Sequence, residues 1–271
     1  MRKLILLALA LTATAAAASQ KIVLIAGPRS HAPRTHEYNA SVMLLAKWLN
    51  QNGVKDTVVV TGGWPEDEKV FVGARAVVFY MDGGVAHPLL IGNRLEKVGE
   101  LAKKGVGLAF LHYAGELPKE RGGEQLLDWI GGFYDRPYSQ NPMNDADLKQ
   151  ESPTHPISRG WKSFSLRDEW YFRIRFRPDD KRLTPILSSQ LPPKEPERQV
   201  LAWAVERADG GRGFGFTGIH FHKNWENEDF RRLLVNAVLW TAKVKVPKNG
   251  ARCDLAPGDL DRNLFEVPKK K

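Results

Sequence analysis

Short, wholly apolar runs alternate with amphipathic stretches through the first half of this chain. Lys21 to Ala26 (KIVLIA), Thr57 to Thr61 (TVVVT), Ala76 to Tyr80 (AVVFY) and Gly107 to Leu111 (GLAFL) are continuous β-branched and aromatic runs bounded by Gly, Pro and polar residues. Runs of that kind predict strands buried on both faces. Between them, Tyr38, Val42, Leu45, Ala46 and Leu49, and then Ile91, Leu95, Val98 and Ala102, recur at helical spacing. Asn52-Gly53 closes the first of these helices with a pair suited to a left-handed cap. Strands alternating with helices imply right-handed crossovers and a largely parallel sheet. The loops after the first, third and fourth strands then share one rim, and each contains a histidine.

The second half is patterned differently. A short helix is predicted over about 124 to 130, and the region from Phe133 to Pro196 is less regular. Within it, alternation across 168 to 176 (DEWYFRIRF) predicts an antiparallel strand. Gln199 to Arg207 and Gly213 to Ile219 flank the turn signal Asp209-Gly210-Gly211 and predict a hairpin. Asn227, Glu228 and Asp229 cap a final helix with buried stripe Phe230, Leu233, Leu234, Ala237, Val238 and Thr241. After Lys243 three prolines predict an extended surface strap or a disordered tail.

Composition adds a compartment. Arg2 and Lys3 precede an apolar run from Leu4 to Leu11 and the small residues Ala15 to Ala18, the pattern of a cleaved signal peptide over 1–19. The expected mature protein is periplasmic or secreted, with a domain over 20–243, a C-terminal extension over 244–271 and no stable membrane insertion. Removing Arg2 and Lys3 takes the formal charge from +9 to +7, and a terminal Lys269-Lys270-Lys271 holds three of those. No aromatic-interleaved basic patch is present, so a nucleic-acid partner is not expected. The single cysteine, Cys253, excludes an intrachain disulfide.

Chemistry collects at strand ends. Of seven histidines, His31, His36, His87, His112, His220 and His222 follow an apolar strand directly or sit in the loop beyond it; only His155 lies in the irregular region. His112 ends the most apolar run at a sharp corner that resembles a nucleophile elbow with imidazole in place of a thiol or hydroxyl. In extended chain His220 and His222 face the same side about 7 Å apart. Glu169, with Asp168, adjoins Trp170 and Tyr171, an environment that raises a carboxylate pKa; a salt bridge to Arg167, Arg173 or Arg175 is the competing expectation. Asp82, before Gly83-Gly84, orients an imidazole, binds a hydroxyl, or forms a turn. No Gly-x-Ser-x-Gly, P-loop or dinucleotide fingerprint occurs, which disfavours nucleotide chemistry.

Five segments carry a resemblance: His31 through Glu37, Phe79 through Gly84, Gly105 through Gly115, Asp168 through Phe172, and Gly213 through Trp225 with its following helix. Together they resemble the ThuA-like (trehalose utilisation) family across about 21 to 243. The resemblance implies an α/β three-layer sandwich with a mostly parallel central sheet, flavodoxin-like or class I glutamine amidotransferase-like. In the amidotransferases a cysteine occupies the elbow; His112 standing there removes glutaminase chemistry. What remains implied is work on a small carbohydrate, including oxidised (keto) sugars.

On the leading reading, His112 or His222 moves a proton with Glu169 as acid/base partner. His31, His36, Asp82 and His220 then hold hydroxyls or a divalent metal; Gly83, Tyr113, Tyr171 and Trp225 complete the sugar site. Trp64 and Trp170 are further stacking candidates. A second reading is a non-catalytic carbohydrate- or partner-binding domain. A third is a metal-dependent hydrolase, with ligands drawn from His36, His112, His220 and His222 alongside His31 and Glu169. No cofactor is assigned beyond that candidate divalent metal.

Overall fold

The computed structural model describes residues 20–266. The segment read as a signal peptide and the terminal lysines lie outside the described residues. Among the described residues eleven strands form: β1 (Ile22–Ala26), β2 (Thr57–Val60), β3 (Ala76–Tyr80), β4 (Gly107–Leu111), β5 (Gly132–Phe133), β6 (Met143–Gln150), β7 (Phe164–Glu169), β8 (Arg175–Phe176), β9 (Leu183–Leu191), β10 (Glu197–Glu206) and β11 (Arg212–Phe216). Four helices accompany them: α1 (Tyr38–Gln51), α2 (Arg94–Lys103), α3 (Glu124–Trp129) and α4 (Glu228–Thr241). None of these helices is long and apolar enough to cross a membrane.

Nine strands make one sheet in the order β2-β1-β3-β4-β11-β10-β9-β6-β7, with β5 and β8 paired apart from it. From β2 to β11 every pairing is parallel, and beyond β11 the strands run antiparallel. Period-two alternation divides the parallel strands between two cores. Ile22, Leu24, Val78, Ala109, Leu111, Phe214 and Phe216 pack with Val42, Leu45 and Trp48 of α1 and with the apolar stripe of α4. Val23, Ile25, Val77, Phe79, Leu108 and Phe110 pack on the other face with Val98 and Leu101 of α2 and Leu126 of α3. The chain is therefore an α/β sandwich of helices on both faces of a central sheet.

Register decides where the site can form. Ala26 lies opposite Tyr80, Phe79 opposite Phe110, and Leu111 opposite Phe216. The carboxyl ends of β1, β3, β4 and β11 are thus level, and their following loops emerge side by side. β1 is also where the strand order reverses, since β2 lies on one side and β3 on the other. Open parallel sheets bind ligands at that point.

Three expectations need amendment. The region from 133 to 196 holds the long strands β6 and β9 and all of β7. The expected strand over 168–176 stops at Glu169, because Trp170, Tyr171 and Phe172 all turn into the core and Arg173 takes a φ of 54°. Ile91 precedes α2 and is 58% exposed, so it takes no part in that helix's buried face.

The tail is an ordered strap. Val246, Ala251 and Cys253 are buried in the α1–α4 core, and Lys47 pairs with buried Asp259. The strap then returns to the β1–α1 loop, where the Phe265 amide donates to Glu37 Oε2 at 2.8 Å.

Candidate functional site

The loops after β1 and β11 are stitched together by two backbone bonds. The His36 amide donates to the His220 carbonyl at 2.9 Å, and the His222 amide donates to the Arg34 carbonyl at 3.0 Å. This sets His36 against His220. β4 ends directly on His112, and β7 ends on Glu169. Three of the backbone turns that aim these side chains lie in the left-handed region: φ is 46° at His36, 55° at His112 and 86° at Ile219, just before His220. Non-glycine residues, and β-branched ones above all, adopt that region only where the surroundings hold them there.

Asp168 supplies much of that hold. Its buried carboxylate accepts the amides of Ile219 at 2.6 Å and His220 at 3.0 Å, while the Tyr80 hydroxyl donates to the Ile219 carbonyl at 2.5 Å. Strand alternation explains the division of labour. Asp168 faces the turn beyond β11, and its neighbour Glu169 faces the histidines.

Four ligand-type atoms converge. His36 Nε2 is 2.8 Å from His220 Nδ1 and 3.2 Å from His112 Nε2. Glu169 Oε2 is 3.0 Å from His220 Nδ1 and 3.3 Å from His112 Nε2. One atom from each residue lies within 4.8 Å of all the others, the arrangement needed to hold a metal ion. His31, His36 and Asp82 form a second such group that shares His36.

An outer ring fixes the imidazoles. His112 Nδ1 donates to the Thr217 carbonyl at 2.7 Å. The Tyr38 hydroxyl donates to Asp82 Oδ1 at 2.6 Å, so it accepts from His36 Nδ1 at 2.7 Å. Ser30 Oγ also donates to Asp82 Oδ1, and the His31 ring stacks on His36 with centroids 3.6 Å apart. Tyr171 tilts against His112 at 4.4 Å, and Tyr113 stands edge-on to His31 and His36.

Burial and the surrounding imidazoles push the His36 pKa down, keeping that ring neutral. Burial alone would raise Glu169, yet the imidazoles of His112 and His220 beside it outweigh that and bring the carboxyl down to about 2. His31, partly open to solvent, is also lowered by burial, against the pull of Asp82.

The cluster therefore gathers His36, His112, His220 and Glu169, with His31, Asp82, Tyr113 and Tyr171 around it. Glu169 takes imidazoles and Asn141 as partners; Arg167 and Arg175 pair with Asp145 and Asp135 instead. His222 is elsewhere. It opens the short 3-10 helix His222–Glu226 and is buried with Nδ1 3.4 Å from Ser41 Oγ of α1, outside the cluster that His220 joins.

Trp225 and Trp170 are core residues at 0% exposure, Trp225 donating to Ser41 Oγ, so neither offers a stacking face. Trp64 lies against Phe71 and Arg94. Gly83 abuts the Tyr113 carbonyl so closely that a Cβ would lie 2.1 Å from it. Its place is in the packing of the two loops. His87 is buried, donating through Nε2 to the Ala114 carbonyl and accepting the Leu89 amide at Nδ1. The loop after β3 thus reaches the site through Asp82.

A profile of the family described as "ThuA: Trehalose utilisation" matches residues 23–241. The chain belongs to the ThuA family. Two solved structures share the fold: a ThuA-like protein from Bacteroides uniformis (16% identity, TM-score 0.58) and one from Parabacteroides merdae (18%, TM-score 0.58). Each alignment covers 86% of this chain and 95% of the other. A carbohydrate deacetylase, Agd3, aligns over 82% of this chain and 32% of its own at 12% identity and TM-score 0.52. No curated protein is significantly similar in sequence.

In this ThuA domain sequence reasoning missed Tyr38, whose hydroxyl links His36 to Asp82, and the role of Asp168 as a backbone anchor. Tyr38 carried a signal, since a tyrosine two residues after a loop histidine opens the helix. It also missed Glu116, which binds Arg136 beside Tyr113 on the wall of an adjoining cavity of about 530 Å³.

Proposed function

We propose that this ThuA protein is an exported enzyme of carbohydrate utilisation that acts on a sugar or keto-sugar at the rim cluster. The observation that carries the reading is the convergence of three imidazoles and one carboxylate from four separate strand ends. Structural histidines in this chain look different: His87 and His155 each spend a ring nitrogen capping a local turn. Four chemically active groups aimed at one point, on strained backbone, are costly to assemble for packing alone.

Sugar oxygens would meet the cluster from the side where Glu169, His31 and Asp82 retain solvent contact. The Tyr113–Glu116–Arg136 cavity would seat the rest of the molecule, offering hydroxyl partners along one wall. Proton transfer beside a carbonyl needs neither a nucleophile nor a nucleotide, which accords with the motifs this sequence lacks. Glutaminase activity is not expected, since the elbow carries His112.

The test is a screen of the pure protein against glucosides and their 3-keto derivatives. Turnover that falls at least ~100-fold in both His112→Ala and Glu169→Gln, with unchanged melting behaviour, supports the proposal. Wild-type protein that turns over none of them overturns it. Amino-terminal sequencing of protein recovered from outside the cytoplasm checks export; an intact Met1 would count against it.

A further inference from the structure

We propose that His36 Nε2, His112 Nε2, His220 Nδ1 and a Glu169 carboxylate oxygen together hold one divalent first-row transition-metal ion. This rests on the reading of the rim as the reaction site and deepens it.

Proton accounting makes the first argument. The Thr217 carbonyl can only accept, so His112 Nδ1 carries a proton, and a ring holding that one proton presents a lone pair at Nε2. The Tyr38 hydroxyl spends its proton on Asp82, so it too accepts, and His36 likewise presents a lone pair at Nε2. Two lone pairs therefore face each other across 3.2 Å, and a carboxylate oxygen lies 3.3 Å from one of them. Lone pairs and a carboxylate oxygen so placed repel; a cation among them reverses the sign.

Geometry makes the second. With metal–ligand bonds of about 2.0–2.1 Å, neighbouring ligand atoms stand roughly 2.9 Å apart in octahedral sites and about 3.4 Å apart in tetrahedral ones. The four successive separations around this cluster are 2.8, 3.0, 3.3 and 3.2 Å. The third argument is the outer ring. Metal-bound histidines characteristically donate their second nitrogen to a carbonyl or a carboxylate-linked group. His112 does so to Thr217, and His36 does so to the Tyr38–Asp82 pair.

Three imidazoles with one carboxylate suit zinc, iron, manganese, cobalt or nickel rather than calcium or magnesium. Such an ion would polarise a sugar carbonyl or hydroxyl oxygen. His31, stacked on His36 yet part-exposed, and Tyr113 are then the groups free to handle protons.

The test titrates Zn²⁺ into chelator-stripped full-length protein by calorimetry, with Co²⁺ absorption as a second probe. One ion per chain is expected, with affinity lowered at least ~100-fold in His36→Ala, His220→Ala and Glu169→Gln. His155→Ala should bind as wild type. A Zn²⁺-dependent rise in melting temperature in wild type, absent from Glu169→Gln, guards against variants that merely fold poorly.

Binding well below one ion per chain, or equal binding by the ligand variants, overturns the inference. Stoichiometric, ligand-dependent Zn²⁺ binding without sugar turnover sustains the ion and defeats the proposed activity. Turnover undiminished in stripped protein that binds no Zn²⁺ does the reverse.

Discussion

His36 and His87 follow neighbouring strands and are both buried, yet only one of them faces the site. The difference lies in what each second nitrogen finds. Both ring nitrogens of His87 are consumed by backbone groups, and burial lowers its pKa from 6.5 to about 4. Below pH 6.5 the unfolded chain takes a proton that the folded ring resists. Stability is therefore complete above pH 6.5 and declines as pH falls towards 4, by about 3 kcal/mol over the window. Urea midpoints measured from pH 7 to pH 4.5 should show that decline in wild type. It should be shallower in His87→Gln, and an equal slope in both would refute the assignment. At this scale the sequence showed the seven histidines and set six of them, all but His155, at strand ends. It did not show that His222 lies apart from the cluster, because that depends on where the chain beyond β11 seats the ring, against Ser41 of α1.

Among elements, the strongly patterned ones were legible and the weakly patterned ones were not. β3 and β4 occupy the residues that their apolar runs predict, and the β10–β11 hairpin forms around its turn signal. β6 escaped notice because its inward residues are Asn144, Ala146 and Leu148, a face with little apolar contrast against Asp145 and Asp147. The turn after β11 is the element on which the site depends most, and Asp168 holds it by charge-assisted bonds. Asp168→Asn keeps the shape but removes the charge. It should cost about 2 kcal/mol in urea unfolding and weaken Zn²⁺ binding; Asp145→Asn, on the same strand pair but exposed, should leave both unchanged. Equal effects from the two substitutions would remove the special role given to Asp168.

The whole molecule is closed by its own tail. The strap buries Val246, Ala251 and Cys253 against α1 and α4, and Trp48 Nε1 donates to the Asp254 carbonyl. Burying one valine fully is worth roughly 1.5–3 kcal/mol, so truncation after Lys243 should lower the melting temperature substantially. The shorter truncation after Asp261 keeps Val246, Ala251 and Cys253 but removes Phe265, with its bond to Glu37 and its edge contact with Tyr38. Glu37 also accepts the amide of Arg34, whose carbonyl forms one of the two stitches to the loop after β11. We expect the shorter variant to melt near wild type yet bind Zn²⁺ several-fold more weakly. Unaltered affinity would show that the strap serves stability only.

Local pattern alone determined the α/β class, the parallel half of the sheet and the rim where histidines accumulate. Burial on both faces demands continuous apolar runs, and period-two and period-3.6 repeats are written into neighbouring residues. The tertiary structure decided which four side chains meet, which nitrogen each presents, and that the tail is a strap rather than a loose end. Those outcomes rest on level strand ends, on left-handed backbone at His36, His112 and Ile219, and on bonds between residues far apart in the chain. No local pattern encodes such long-range contacts.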